Sequence, residues 1–199
     1  MSPANANHQN NPILLVHGIW DTGKVFRRMS NYLENIGKDV FTIDMVPNNG
    51  DAPLEDLARQ VADYIDTKFS PEQVLDLVGF SMGGIVSRYY VQKLHGYNKV
   101  QRFITVSSPH HGTHIAHFSH RYGARQMRPN SPLLKDLNQD ISALEKVDYT
   151  SIWTPFDVMI LPANSSQMPV GKELLIPVLI HAWMLEDERN FAAIAQSLS

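Results

Sequence analysis

The chain has 199 residues, 43% of them hydrophobic, and a formal net charge of −3. That length suits one domain with its own core, and the absence of a basic run argues against a nucleic-acid partner. There is no cysteine, which excludes disulfides, a thiolate nucleophile and Cys-ligated metal sites.

Residues 1–11 are polar and asparagine-rich, and they are expected to form a disordered tail ahead of a single domain at 12–199. They show neither the basic start nor the apolar stretch of a secretion signal. No apolar run approaches the ~20 residues of a membrane span. A soluble, cytoplasmic protein is therefore expected, although a removed signal peptide would leave no trace.

The first strand-like run is Ile13-Leu14-Leu15-Val16, which ends in His17-Gly18-Ile19. Val25, Phe26, Met29, Tyr32, Leu33 and Ile36 then recur at helical spacing, and Gly37 is the expected C-cap. Residues 40–43 read as a second strand. Asp51 is placed to cap a helix starting near Pro53 that carries Leu54, Leu57, Val61 and Ile65 inward.

At 74–94 a β-branched and aliphatic run passes into a helical pattern through Gly79-Phe80-Ser81-Met82-Gly83-Gly84. A serine at so sharp a bend has strained dihedrals, and the flanking glycines remove Cβ atoms that would collide with it. Its hydroxyl projects outward, against a helix N-terminus with unpaired N–H groups. This is the G-x-S-x-G nucleophile elbow in its strand–turn–helix setting.

Residues 102–107 read as a fourth strand, so the order to this point is β-α-β-α-β-α-β, the alternation of a doubly wound, mostly parallel sheet. The rhythm breaks at 112–149, a helical, lid-like insertion in which Ser131 and Pro132 open a helix bearing Leu133, Leu134 and Leu137. Residues 151–156 resume strand character and lead to Asp157. A last strand at 174–180, interrupted by Pro177 and so expected at an edge, leads to His181. Asp187 is placed to cap a closing helix.

A serine hydroxyl needs a base, and the base needs an acid to hold its tautomer. Asp157 and His181 each follow a strand-like run, at the end where parallel sheets gather their catalytic groups, and come in the order Ser, Asp, His. Asp148 and Asp140 are alternative acids. His110 and His111 also follow a strand but precede the acid, and His17 is read as a structural histidine.

The segments GFSMGG, VHGI, SSPHHGT and TPFD, together with His181, resemble small lipases of the α/β-hydrolase superfamily, of the class of minimal bacterial triacylglycerol lipases. The likeness runs from about Ile13 to the C-terminus. It implies a six-stranded sheet lacking the two N-terminal strands of larger hydrolases. It also implies Ser81 as nucleophile, Asp157 as acid and His181 as base, with the backbone N–H groups of Ile19 and Met82 as the oxyanion hole.

The resulting expectation is a carboxylic ester hydrolase, a lipase or esterase that works through an acyl-enzyme with no cofactor. Thioesterase or other serine-hydrolase chemistry, such as that of peptidases or lyases, or a non-catalytic binding module on the same fold, is the alternative. Leu133, Leu134 and Leu137 are expected to line an acyl groove, the rival reading being ordinary core. His114, His117 and His120 stand at i, i+3, i+6 but hold no carboxylate among them, so no metal site is assigned. With Arg121, Arg125 and Arg128 they make a locally cationic loop, read first as a solvated polar loop, the rival reading being transient contact with a lipid interface or with fatty-acid product.

Overall fold

The computed structural model describes residues 11–199. The expected tail therefore lies outside the described residues except for Asn11, which is buried. Its amide donates to Asp76 Oδ1 and Gln101 Oε1 at 3.1 and 2.7 Å.

Six strands form one sheet: β1 (Ile13–Val16), β2 (Val40–Ile43), β3 (Leu75–Phe80), β4 (Val100–Val106), β5 (Asp148–Trp153) and β6 (Lys172–Leu175). Their order is β2-β1-β3-β4-β5-β6, with every neighbouring pair parallel. The alternation of side chains along β1 sets the two layers. Leu14 and Val16 join a core with α2 (Leu54–Lys68) and α3 (Met82–Lys93). Ile13 and Leu15 face the other way, toward α1 (Arg27–Asn35) and the C-terminal helix Glu188–Ser197. A strand buried on both faces has no polar side, which is why β1 reads as a continuous apolar run; β3 is also buried throughout and departs from that pattern at Asp76, which is paired with Arg102 Nη1 at 3.1 Å.

Three expectations are corrected here. Strand β5 begins at Asp148 and ends at Trp153, so Phe156 and Asp157 lie in the turn beyond it. The edge strand β6 stops at Leu175, before Pro177. Asp51 does not cap α2. Pro53 occupies that position, and the free Leu54 N–H donates instead to Gln126 Oε1 at 2.8 Å, from a helix far along the chain. Asp51 accepts from Arg121 Nη1 at 2.6 Å.

The segment 112–149 has two halves. The first, with a 3-10 turn at His114–Phe118 and α4 (Tyr122–Gln126), lies over the carboxyl end of the sheet. The second, α5 (Pro132–Gln139) and the 3-10 turn Ser142–Lys146, packs into the core beside α3. Ser131 caps α5 as expected, accepting from Leu134 N–H at 3.3 Å. Asp187 likewise caps the closing helix, α6 (Glu188–Ser197), accepting from Arg189 N–H.

Candidate active site

Ser81 sits between β3 and α3 with φ 53° and ψ −122°, a backbone conformation that a residue with a side chain rarely adopts. The surroundings enforce it. Ser81 N–H donates to Val106 O at 2.9 Å, and Gly84 N–H donates back to Ser81 O at 3.0 Å. A Cβ on Gly83 would lie 2.2 Å from Val16 O, so only glycine allows the elbow to rest against the end of β1.

Asp157 is 3% exposed, in the turn after β5. Its Oδ1 accepts from the amides of Met159 and Ile160, both at 2.9 Å, which fixes the carboxylate plane. Its Oδ2 faces His181 Nδ1 at 2.7 Å. A carboxylate accepts, so Nδ1 carries the proton and, in the neutral ring, Nε2 keeps its lone pair. The His181 ring packs on Phe80, the residue before Ser81, with centroids 4.8 Å apart.

Ser81 and His181 both line a cavity of about 360 Å³ whose walls are mostly apolar, among them Ile19, Ile115, Phe118, Ala124 and Met127. A larger, shallower hollow of about 630 Å³ is lined by His111, His114 and Glu173 and holds none of Ser81, Asp157 or His181. The Trp20 amide donates to Asn48 O at 2.8 Å, whereas the Ile19 amide takes no backbone acceptor among the described residues. Met82 is the first residue of α3, a position with no acceptor inside the helix.

The sequence profile of the palmitoyl protein thioesterase family matches residues 12–164. The chain belongs to that family. It is similar to the lysosomal thioesterase PPT2 of Mus musculus, 31% identical over 121 residues that cover 56% of this chain and 39% of the mouse protein. The Homo sapiens PPT2 is 28% identical over 117 residues, with 56% and 38% covered. The chain thus spans about two-fifths of the length of these curated relatives. These relatives are lysosomal by name.

Among solved structures, the mature Bacillus licheniformis lipase BlEst2 superposes with a TM-score of 0.80 at 18% identity, covering 100% of this chain and 96% of that one. Aspergillus fumigatus lipase B gives 0.78 at 18%, with 100% and 55% covered. An extracellular alpha/beta-hydrolase from a Paenibacillus species gives 0.64 at 18%, with 94% and 97% covered. At such identities these likenesses show the fold, which is the α/β-hydrolase fold. No helix among the described residues is long and apolar enough to cross a membrane.

Within this member of the thioesterase family, the expected acyl-groove leucines are elsewhere. Leu133, Leu134 and Leu137 are buried in the core beside α3, and none of them lines the Ser81 cavity. The reason is helical phase. α5 turns its one apolar stripe toward α3, leaving the cavity to the 3-10 turn and α4. Asp148, the alternative acid, stands in register with Arg102 at the amino end of the sheet, remote from Ser81. Asp140 lies near the surface, where it accepts from Ser142 Oγ at 2.9 Å.

His17 is buried, with Nδ1 2.8 Å from Gly18 O and Nε2 accepting from Met45 N–H at 2.9 Å. It holds the Gly18–Ile19 corner against the strand β2 connection. The rings of His114 and His117 stack with centroids 6.0 Å apart, and no group of three metal-binding side chains occurs among the described residues.

Sequence reasoning passed over Asp21. It lines the cavity with Ser81 and His181. Burial holds its carboxyl above the ordinary aspartate value, against the opposing pull of His17 and His181. Its place four residues after His17, in the loop that leads from β1 to the cavity, was the available signal.

Proposed function

We propose that this chain is a serine hydrolase of acyl esters and thioesters, with Ser81 as nucleophile, His181 as base and Asp157 as the acid behind it. The observation that carries this reading is the Asp157–His181 pair at 2.7 Å, with His181 opening beside Ser81 into one apolar cavity. His181 Nε2 takes the Ser81 proton as Oγ adds to the acyl carbon. The oxyanion is received by the Ile19 and Met82 amides, each worth ~3–4 kcal/mol to the transition state. Collapse expels the alcohol or thiol with the proton from His181. Water, deprotonated by the same ring, then releases the acid from Ser81.

The oxyester reading draws on the likeness to lipases, and the thioester reading on the family match over 12–164. The experiment is a fluorophosphonate probe followed by a matched pair of palmitoyl substrates, one oxyester and one thioester. Labelling of the wild type but not of Ser81→Ala, with turnover lost in the same variant, is expected. A folded protein that neither labels nor turns over would be a binding module. The ratio of the two rates assigns the leaving atom.

A further inference from the structure

Asp21 carries chemistry that the triad does not use. Its carboxylate lies beside the nucleophile: the position that a Cβ on Gly18 would take is 3.1 Å from Asp21 Oδ2 and 3.2 Å from Ser81 Cβ. Within the described residues its side chain forms neither a hydrogen bond nor an ion pair. Among the described residues the hydrogen bonds of Asp21 are backbone ones, including Asn48 Nδ2 donating to its carbonyl at 2.6 Å.

The nearby cationic or ionisable groups are engaged with other partners. Both nitrogens of His17 are engaged, with Gly18 O and with the Met45 amide. His181 is tied to Asp157. Arg121 is paired with Asp51 and lies over the Trp20 ring, 4.9 Å from its centroid. A carboxylate half-withdrawn from water and without a hydrogen bond is costly to keep, even with His17 and His181 offsetting part of that cost. It is suited to receiving a cationic group that arrives with the substrate.

We propose that Asp21 is a specificity-determining residue that selects the leaving group. It receives a cationic group carried by the alcohol or thiol part of the substrate. This rests on the ester- and thioester-hydrolase reading above. The side of the cavity follows from the walls. Ile115, Phe118, Ala124 and Met127 make an apolar surface fit for an acyl chain. His181 must face the departing oxygen or sulfur to protonate it, and Asp21 is close enough to feel its charge. The same carboxylate opposes a bound fatty-acid anion, which favours release of the acid product.

The test uses the full chain and two hexanoyl esters of nearly equal shape, the cationic choline ester and the neutral 3,3-dimethylbutyl ester. The wild type should favour the choline ester in kcat/KM, and Asp21→Asn and Asp21→Ala should each lower that ratio about tenfold, the scale of one Coulombic contact between unit charges near a protein surface. Equilibrium binding of hexyltrimethylammonium against hexanoate is measured alongside, because it needs no turnover. The cation should bind more tightly than the anion in the wild type and lose that advantage in both variants.

A wild type without preference, or variants that keep it, overturn the proposal. Equal loss on both esters with the ratio intact also overturns it and makes Asp21 a positioning residue that acts through His181. Absence of turnover together with the expected binding contrast sinks the hydrolase reading and leaves the cation-receiving role standing.

Discussion

His181 Nδ1 stands 2.7 Å from Asp157 Oδ2, while the other oxygen of that carboxylate is held by two backbone amides, so neither partner is free to turn. The geometry dictates what an amide in place of the acid would do. In Asp157→Asn the Oδ1 acceptor stays on the Met159 and Ile160 amides, and an NH₂ group then faces Nδ1. That forces the proton to Nε2, the nitrogen that the proposed mechanism requires to accept from Ser81. We expect kcat to fall by up to ~10⁴-fold with the fold retained. Asp148→Asn, at the far end of the sheet, should leave kcat nearly unchanged. Steady-state kinetics on one short-chain ester decides the matter, and the reverse pattern would move the acid to Asp148.

Gly83→Ala tests the elbow by packing rather than chemistry. The added Cβ would lie 2.2 Å from Val16 O and 2.4 Å from His17 O, both main-chain atoms without a rotamer to yield. The backbone must separate, at a cost of roughly 1–3 kcal/mol or more. A lower urea midpoint should be accompanied by a loss of activity larger than the unfolded fraction explains, because the Met82 amide moves with Gly83. An unperturbed midpoint would mean that the strand and the elbow are not in contact.

The parts of the site that the sequence disclosed are those whose chemistry demands particular residues in a row. Gly79-Phe80-Ser81-Met82-Gly83 allows one local geometry, and β1 is apolar throughout because both its faces are covered. What sequence could not supply was phase at long range. Asp148 and Tyr149 begin β5 although an acidic residue leads the strand, since parallel pairing with Arg102 and Phe103 fixes the register. The N-terminus of α2 is satisfied by Gln126 from the insertion, a partner that no local rule for capping can find. Asp21 was missed for the same reason: its place four residues after His17 marks the loop after β1, but not that the fold brings Ser81 and His181 to the same cavity.

The leucines of α5 and the side chains of the preceding 3-10 turn should therefore behave differently. Leu134 is 1% exposed in the core, whereas Phe118 is 86% exposed at the cavity mouth. Leu134→Asp should lower the melting temperature and reduce activity on all chain lengths alike. Phe118→Ala should leave the melting temperature nearly unchanged while reducing the preference for long acyl chains. Each methylene that loses its apolar contact forfeits up to ~0.8 kcal/mol. A chain-length series of p-nitrophenyl esters, read beside thermal melts, separates the two. A chain-length profile unaltered by Phe118→Ala would mean that the acyl chain leaves by another wall.

His110 should make the fold acid-sensitive. It is fully buried, with Nε2 3.0 Å from both Thr105 Oγ1 and Tyr149 OH. Burial, then the charges of Arg88 and His111, hold its pKa well below 6.5. Above that value neither folded nor unfolded chain protonates the ring. Below it the unfolded chain binds a proton that the folded one refuses, so stability is lost as pH falls, by up to ~1.4 kcal/mol per pH unit. Urea midpoints followed downward from neutral pH should fall more steeply in the wild type than in His110→Gln, whatever their absolute values. Parallel slopes would mean that the ring gains its proton inside the fold.

Asp21 should show the opposite sign. Burial raises its carboxyl above the ordinary value of 3.8, with His17 and His181 pulling it part of the way back. The folded chain thus holds this proton more tightly than the unfolded chain does. The resulting stability is fully present below the unfolded value and is lost as pH rises through the folded one. Asparagine at this position does not titrate, and it replaces a side chain that makes no hydrogen bond, so no compensating contact is removed. The melting temperature of Asp21→Asn minus that of the wild type should therefore increase between about pH 4 and about pH 7. A difference that stayed constant over that range would show that the carboxylate is fully hydrated, and its place against Ser81 would then be wrong. If the difference grows, the protein keeps in its cavity a charge that its own fold would be more stable without, as expected of a group whose partner arrives with the substrate.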